Sequence, residues 1–295
     1  MELLRKGKVK EVYSFNDDQL LFYFTDNISV FDKIIPSKIP RKGETLCKSS
    51  AFWFRKIGEK GIKNHYISCE DSKMIVKRFR ILDKPGIGDE NYLIPLEFIT
   101  RYYLAGSLYD RIKEGKVDYK SLGYRNMPKY GEKLPEPYFE ITTKFEKFDR
   151  KLDWKEAQEI GGLTKGEIEE IREIILKIDE IIKNDVEKRN LIHVDGKKEF
   201  ALGKGREIYV VDTFGTLDED RWWDKEKYEN GEIVQLSKEF VRQYYRRIGY
   251  HEKLMEARKK GLEEPPIPPL PDEMIKEVSQ LYIDMYYRIT GEKLD

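Results

Sequence analysis

The chain has 295 residues, of which 37% are charged, 39% hydrophobic and 13% aromatic. Its 55 lysines and arginines equal its 55 aspartates and glutamates, and this zero net charge argues against both a general nucleic-acid-binding protein and an acidic disordered one. At roughly 150 residues per domain the length predicts about two domains or one large one, and the sequence contains no apolar run of about 18 residues that would span a membrane.

The first eighty residues are predicted to form β-strands joined by turns, with one helix among them. The strands are predicted at residues 11–15, 20–25, 66–68 and 74–76. Residues 45–57 have helical spacing and stop at Gly58. The loop 83–89 contains a proline and two glycines and is interpreted as the border between two domains. The sequence therefore predicts a β-rich N-terminal domain, residues 1–84, and a larger α+β domain, residues 85–295.

The second part contains one strongly patterned helix. Thr164 and Glu167 match a capping box, and seven isoleucines follow at helical spacing up to Ile182, a pattern typical of core packing. Strands are predicted at 191–194 and 207–211, with a turn-rich segment between them.

The proline-rich stretch at 265–271 has two interpretations. It is either a ligand for a recognition domain or a stiff connector, and the connector is favoured because a predicted helix follows from about Asp272.

The two cysteines, Cys47 and Cys69, are too few for a disulfide framework or a metal-ligand array. Two reduced thiols, together with an N-terminus that lacks a signal-peptide pattern, predict a cytoplasmic protein. Glutamine occurs only five times in this highly charged chain, a usage typical of proteins from hot environments.

A basic segment near the N-terminus is a candidate phosphate-binding site. Gly7 allows close approach of the backbone, and Lys8 and Lys10 follow it at alternate positions, so that they can point the same way toward a phosphate. The spacing is not that of a P-loop, and a solvated basic strand start is the alternative.

A second candidate site lies on the segment 195–202. If this segment is a strand, Asp195, Lys197 and Glu199 share one face. Asp212 closes the next strand, and carboxylates in this setting are suitable ligands for Mg²⁺. A surface ladder of ion pairs is the alternative interpretation.

Two arginines are candidates for binding a phosphate or carboxylate. Arg221 follows an acidic loop and precedes two tryptophans. Arg101 precedes a small Ala-Gly-Ser segment that ends at Ser107 and could offer backbone N–H groups and a hydroxyl. An ordinary turn is the alternative for this second segment.

Other polar segments point less clearly to chemistry. The three histidines have no metal-ligand spacing, and Asp26 to Asp32 gathers polar residues where a strand should end. Tyr244 to Arg247 alternates aromatic and basic residues, which suits either RNA binding or an ordinary helix face, with the helix face favoured.

In their order along the chain these segments resemble the SAICAR synthetase family. The matching stretches are residues 7–13, 26–32, 41–43, 101–107, 140–144, 195–200, 212–223 and 237–242, with 286–291 also similar. Two departures are the Gly-Lys-Lys at 196–198, where the family often has apolar residues, and a long connection at 79–94.

The resemblance implies an α+β fold with antiparallel sheets and an ATP-grasp-like or kinase-like nucleotide cleft between two parts. It implies an ATP-dependent ligase of purine biosynthesis that joins L-aspartate to carboxyaminoimidazole ribonucleotide (CAIR) through an acyl phosphate. ATP and Mg²⁺ are the implied cofactors, and neither nucleic acid nor a membrane is an expected partner. Homo-oligomerisation stays open, and a small-molecule kinase with the same lysine and metal groups is the alternative function.

The resemblance also suggests roles for individual residues. The residues expected to hold ATP phosphates are Gly7, Lys8 and Lys10, and those expected to bind Mg²⁺ are Glu199 and Asp212. The residues expected to bind the ribonucleotide 5′-phosphate are Arg101, Ser107 and Arg221. Asp195 and Lys197 would orient the ribose and the reacting carboxylate. The residues expected near ATP, aspartate or the acyl group are Lys144, Asp32, Lys238 and Arg242.

Overall fold

The computed structural model describes residues 1–146, 150–236 and 238–294. Within these ranges the strands are β1 (Glu2–Lys6), β2 (Lys10–Ser14), β3 (Gln19–Phe24), β4 (Asn27–Val30), β5 (Lys33–Lys38), β6 (Tyr66–Glu70), β7 (Lys73–Lys77), β8 (Tyr92–Leu93), β9 (Leu96–Tyr103), β10 (Lys133–Thr143), β11 (Lys151–Leu152), β12 (Leu191–Leu202), β13 (Ile208–Val211) and β14 (Asp220–Asp224). The α-helices are α1 (Lys42–Gly58), α2 (Gly106–Lys113), α3 (Trp154–Gly161), α4 (Lys165–Val186), α5 (Lys225–Glu229), α6 (Glu239–Arg247), α7 (Tyr250–Lys260) and α8 (Asp272–Thr290).

The N-terminal strands form a five-stranded antiparallel sheet in the order β1-β2-β3-β7-β6. Its inner face carries cross-strand apolar neighbours, for example Val12 opposite Phe22 and Phe22 opposite Met74. Helix α1 packs on this sheet and buries Leu46 and Phe54. Alternation of side chains along each strand thus produces one apolar face, which α1 covers.

A second, seven-stranded sheet has β12 near its centre, in the order β11-β10-β9-β12-β13 with β8 and β14 also paired to β12. This strand is 12 residues long and pairs along its length with four others, β8, β9, β13 and β14. In these pairings Asp195 lies opposite both Arg101 and Arg221, and Glu199 lies opposite Val211. The α+β fold with antiparallel sheets is therefore confirmed.

The predicted turn-rich segment between residues 194 and 207 is wrong for residues 195–202, because β12 continues without interruption to Leu202, and it is confirmed only at the single 3-10 turn Lys204–Arg206. The polar residues that suggested a turn are buried in the sheet. Lys198 is fully buried and its Nζ lies 2.5 Å from Asp179 Oδ1 on α4. Gly196 lies so close to Asp220 that a Cβ there would stand 2.2 Å from Asp220 Oδ2. Charged residues occupy this strand because the neighbouring elements supply partners of opposite charge.

The long amphipathic helix is confirmed as α4, and its capping box is formed by Thr164 and Glu167 as predicted. Its isoleucines enter the same hydrophobic core as residues of both sheets, and this core continues into α8. The described helices include none that is long and apolar enough to cross a membrane. The division into domains at residues 84 and 85 stays a prediction.

The proline-rich segment lies against the body of the protein. Ile267 and Leu270 are buried, and the Leu270 N–H donates to Ser37 Oγ at 2.9 Å. Tyr245 Oη donates to the Pro268 carbonyl at 2.6 Å. These contacts support the interpretation of this segment as a connector that leads into α8.

We expect Gly196→Ala to lower the free energy of unfolding by about 1–3 kcal/mol, because the added methyl group would meet the buried pair of His193 and Asp220. The matched control is Gly166→Ala in the first turn of α4, where a Cβ meets no atom within 4 Å. Gly166→Ala should be neutral or stabilising by about 0.5 kcal/mol. Urea unfolding of both variants checks this prediction, and equal stabilities would contradict it.

Candidate active site

One face of β12 carries the predicted row of charged side chains. Asp195, Lys197 and Glu199 lie two residues apart in a continuous strand, so they project to the same side of the sheet. Glu199 is 1% exposed and Asp195 is 8% exposed. Such burial of charge is costly unless each group is paired.

Lys197 lies among three carboxylates. Its Nζ is 2.9 Å from Glu97 Oε1, 3.3 Å from Glu199 Oε1 and 3.3 Å from Glu219 Oε2. Glu97 comes from β9 and Glu219 from the loop before β14. Neither glutamate was predicted as a site residue. Glu219 lies in the acidic loop of the matching stretch 212–223, whereas no local pattern marks Glu97, whose proximity to Lys197 depends on strand pairing.

Two further lysines complete this group. Lys144, just after β10, forms an ion pair with Glu199, and its Nζ lies 3.6 Å from Asp212 Oδ2. Lys10 on β2 forms an ion pair with Asp212. We call this set the lysine–carboxylate cluster, and its members are Lys10, Lys144, Lys197, Glu97, Glu199, Asp212 and Glu219.

The environment of the lysine–carboxylate cluster shifts several pKa values. Burial lowers the pKa of Lys10 to about 7, with Lys144 and Lys197 adding to the effect against the attraction of Glu199 and Glu219. Burial raises the pKa of Glu97 to about 7, although Lys197 opposes that change. Burial also works against ionisation of Glu199, but Lys144 and Lys197 outweigh it and hold the pKa of its carboxyl at about 2.

Asp212 reaches the cluster through an unusual backbone conformation. It directly follows β13 and has a φ of 62°, in the left-handed region that non-glycine residues rarely adopt. The chain then turns through Gly215, whose carbonyl accepts from Trp53 Nε1 on α1 at 3.0 Å. Strained residues of this kind concentrate at functional sites, where the surrounding contacts hold them.

An arginine cluster lies beside the first group, at the Asp195 end of the row. Asp195 Oδ2 is 3.2 Å from Arg101 Nη1 and 2.6 Å from Arg221 Nη1. Arg101 also donates to Ser107 Oγ at 3.2 Å and to Glu140 Oε2 at 2.8 Å. The structure therefore brings together the four predicted residues Arg101, Ser107, Arg221 and Asp195, and adds Glu140. These five residues are the arginine cluster.

The start of α2 lies against Arg221. Gly106 has a φ of 54°, and a Cβ at this position would stand 2.6 Å from Arg221 Nη2. A glycine is therefore needed for the guanidinium to approach the first turn of the helix. Two guanidinium groups, a hydroxyl and a helix N-terminus are an arrangement suited to a phosphate or carboxylate.

A third group surrounds Asp218. Asp218 Oδ2 lies 2.8 Å from Lys42 Nζ and 3.3 Å from Lys238 Nζ, and Asp218 Oδ1 accepts from Tyr282 Oη at 2.6 Å. Lys42 is fully buried, and this burial lowers the pKa of its ammonium against the attraction of Asp218. Of these residues only Lys238 was predicted as a site residue, although Lys42 and Asp218 lie in stretches that carry the family resemblance.

The remaining predicted residues lie in other contacts. Lys8 and Asp32 form an exposed pair at 2.6 Å, and Gly7 makes a tight turn in which its N–H donates to the Lys10 carbonyl at 2.8 Å. Arg242 pairs with Glu239 within α6 at 3.2 Å. Ser237, the first residue of the matching stretch 237–242, lies outside the described residues.

The aromatic and basic residues near 244–247 lie on helix α6. Tyr245 is fully buried, and Arg246 Nη1 pairs with Glu239 Oε1 at 2.5 Å. A buried tyrosine offers no stacking platform for a base, so the interpretation as a helix face is confirmed for this residue.

The predicted metal ligands are only partly assembled by the protein itself. Among the described residues, no group of three or more histidine, cysteine, aspartate or glutamate side chains could hold a metal ion. Glu199 and Asp212 nevertheless both contact Lys144 Nζ. A cation at the position of this ammonium group would therefore have two carboxylates as neighbours. Mg²⁺ commonly takes one or two protein carboxylates and completes its shell with water and phosphate.

A family model and curated relatives both match this chain over most of its length. The family model described as SAICAR synthetase matches residues 3–257. The phosphoribosylaminoimidazole-succinocarboxamide synthases of Thermoplasma acidophilum and Thermoplasma volcanium are 59% and 58% identical over 294 residues, which is 99% of this chain and 100% of each relative.

Solved structures agree with the sequence relatives. A SAICAR synthetase (Type-2) in complex with ADP aligns with a TM-score of 0.72 and 26% identity, over 99% of both chains. The SAICAR synthase from Saccharomyces cerevisiae in complex with SAICAR aligns with a TM-score of 0.76 and 25% identity, over 99% of this chain and 96% of the other. The two charge clusters on β12 therefore occur in a chain that belongs to the SAICAR synthetase family.

Proposed function

We propose that the chain is an ATP-dependent ligase that joins L-aspartate to CAIR and yields SAICAR, ADP and phosphate, a step of purine biosynthesis. The observation that carries this proposal is that one face of β12 holds a lysine–carboxylate cluster and an arginine cluster, in a chain of this family. ADP and SAICAR, which occur in the two solved relatives, correspond to a product and the ligated product of this reaction. A cytoplasmic location is part of the proposal.

The lysine–carboxylate cluster is proposed to act on ATP. Lys10 and Lys144 carry ammonium groups beside Asp212 and Glu199, where phosphate oxygens would replace carboxylates as their partners. Lys8 and the Gly7 turn lie just before β2, the strand that carries Lys10, and would extend this contact with the phosphates. Phosphoryl transfer requires little covalent work from the protein, so positioning and charge neutralisation should supply most of the rate enhancement. The nucleotide would lie in a cleft between the two proposed domains.

Glu199 and Asp212 are the residues proposed to hold Mg²⁺. Lys197, Lys144 and Lys10 keep the carboxyl of Glu199 ionised, as a metal ligand must be. A bound magnesium ion would neutralise charge on the phosphates, and Lys144 would then move toward the transferred group.

The arginine cluster is proposed to bind the 5′-phosphate of CAIR. Asp195 pairs with Arg101 and Arg221, and the phosphate would replace Asp195 as the partner of these guanidinium groups. Asp195 would then be available to a ribose hydroxyl. Since Asp195 and Lys197 are two residues apart on one face, the carboxylate of CAIR would lie near Lys197 and the γ-phosphate.

In the proposed sequence the carboxylate of CAIR attacks the γ-phosphorus of ATP, and ADP leaves. The amine of aspartate then attacks the acyl carbon, loses a proton, and displaces phosphate. Lys238 and Arg242 are proposed to contact the carboxylates of aspartate, because Lys238 already pairs with the carboxylate of Asp218. Asp32 is proposed to lie near ATP through its contact with Lys8.

The defining experiment measures ADP release with CAIR and ATP, with and without L-aspartate. We expect sustained ADP release only with all three substrates, together with a product that has the mass of SAICAR. D-Aspartate serves as the control for stereochemical recognition of the amine substrate. ADP release that ignores aspartate and yields a phosphorylated hydroxyl would instead indicate a kinase.

The metal assignment predicts that Glu199→Gln and Asp212→Asn each lower kcat at least about 100-fold, because charge on the transferring phosphoryl group would be poorly neutralised. Both variants should also weaken Mn²⁺ binding in the presence of ATP, measured by electron paramagnetic resonance. Glu207→Gln, which alters an exposed pair with Lys63, is the matched control and should behave as the parent chain. Unchanged Mn²⁺ affinity in both site variants would refute the assignment.

The lowered pKa of Lys10 predicts a pH dependence. Below about pH 7 Lys10 is an ammonium in the free enzyme, and above it the neutral amine becomes the main form. Because ATP requires the ammonium, kcat/KM for ATP should fall as pH rises above about 7, approaching about tenfold per pH unit. In Lys10→Arg the guanidinium stays charged, so this fall should vanish even if the overall rate is lower. An unchanged fall in that variant would assign the titration to another group.

A further inference from the structure

The two cysteines of the chain, which are 22 positions apart in sequence, meet inside the fold. Cys47 lies on α1 and Cys69 on β6, and their Sγ atoms are 3.3 Å apart. Both are free thiols. A disulfide bond is about 2.0 Å long, so the two sulfur atoms would have to approach each other by about 1.3 Å to form a covalent link.

The two thiols differ in their access to solvent. Cys47 is fully buried, whereas Cys69 is partly exposed. Cys69 also lines a cavity of about 220 Å³ between α1 and the C-terminal residues. A small molecule in this cavity can therefore contact Cys69, whereas Cys47 is not exposed to it.

The cavity has a positive balance of charge. Its lining contains the cations of Lys48, Arg55 and Lys293 and one carboxylate, Glu292. Glu292 Oε1 lies 3.6 Å from Arg55 Nη2, and Glu292 Oε2 accepts from Tyr286 Oη at 2.9 Å. Lys48 Nζ also lies 2.7 Å from Glu44 Oε1, so with this second carboxylate counted the three cations leave one net positive charge, which favours an anionic ligand.

The same surroundings make the two sulfurs chemically unequal. The hydrogen-bonded contact with Cys47 lowers the pKa of Cys69 and outweighs burial, with Arg55 and Lys48 adding to the effect. Burial and the contact with Cys69 raise the pKa of Cys47. Attack by a thiolate is the first step of thiol–disulfide exchange, so Cys69 has the character of the attacking group and Cys47 that of the resolving group.

We propose that Cys47 and Cys69 form a reversible redox pair that is oxidised by an anionic low-molecular-weight disulfide bound in this cavity. The Cys69 thiolate attacks one sulfur of the small disulfide, whose S–S bond breaks and releases one thiolate. Cys47 then gives up its proton and attacks Cys69 Sγ, which releases the second small thiol. In sum two protein thiols and one small disulfide become one protein disulfide and two small thiols.

The link would tie α1 to β6 and is independent of the proposed ligase activity. Helix α1 also carries Lys42, which contacts Asp218, and Trp53, which contacts Gly215. A cross-link in this helix restricts the unfolded chain, so the oxidised protein should be the more stable form.

The test exposes the reduced, folded chain to oxidised glutathione, which carries carboxylates, and in parallel to cystamine, a cationic disulfide. Intact-mass and peptide analysis should show loss of two hydrogens and linkage of the peptides that contain residues 47 and 69. After correction for the reactivity of each reagent with a free thiol, glutathione should react about tenfold faster than cystamine. The double variant Arg55→Gln with Lys293→Gln should lose this preference.

Single variants test the order of attack. Cys47→Ser should accumulate a mixed disulfide at Cys69, and Cys69→Ser should leave Cys47 unmodified while ADP release stays within about twofold of the parent. Oxidation of the parent chain should raise its midpoint of thermal unfolding by about 5 °C, and the same treatment should leave the double serine variant unchanged. Melting curves establish that each variant is folded.

Three results would overturn the proposal. Cysteines that stay reduced in the parent chain would refute the redox pair. Equal modification of Cys47 in Cys69→Ser would refute the order of attack. A rate that does not depend on the charge of the reagent would refute the docking of an anionic disulfide.

Discussion

The structure depends on the burial of alternating charges along one face of β12. Asp195 and Glu199 would each be costly to bury alone, and they and the partly exposed Lys197 are paired with groups from other elements. Arg101 comes from β9, Arg221 from β14 and Lys144 from the end of β10. The pairings of β12 with its neighbours are therefore also the pairings of its charges. This explains why a strand with four charged residues lies at the centre of a sheet.

The same arrangement prepares the protein for anionic ligands. Carboxylates of the chain form ion pairs with the guanidinium and ammonium groups of the site, as Asp195 does with Arg101 and Arg221. A phosphate exchanges one anionic partner for another, so the positive groups are already in position. The zero net charge of the chain is thus compatible with a locally positive site, because local fields rather than the total charge govern ligand binding.

Features of the fold and of the site that depend on neighbouring residues in the sequence could be predicted. The period of two along 195–199 predicted a shared face, and the capping box at Thr164 predicted the start of α4. The turn predicted within 195–202 is wrong, because Gly196 and Lys198 are turn-like only when their partners Asp220 and Asp179 are ignored. Glu97 lacked any local signal, since its approach to Lys197 depends on strand pairing across about a hundred residues. The contact between Cys47 and Cys69 could not be predicted either, because it depends on how α1 packs against β6.

The central claim is that the carboxylate of CAIR and the γ-phosphate of ATP meet over the face of β12. The most direct measurement uses CAIR with ¹⁸O in its carboxylate and follows the label into inorganic phosphate by mass spectrometry. Transfer of the phosphoryl group to the carboxylate predicts one labelled oxygen in each phosphate formed, with aspartate required for its release. Phosphate free of label during SAICAR formation would contradict this account.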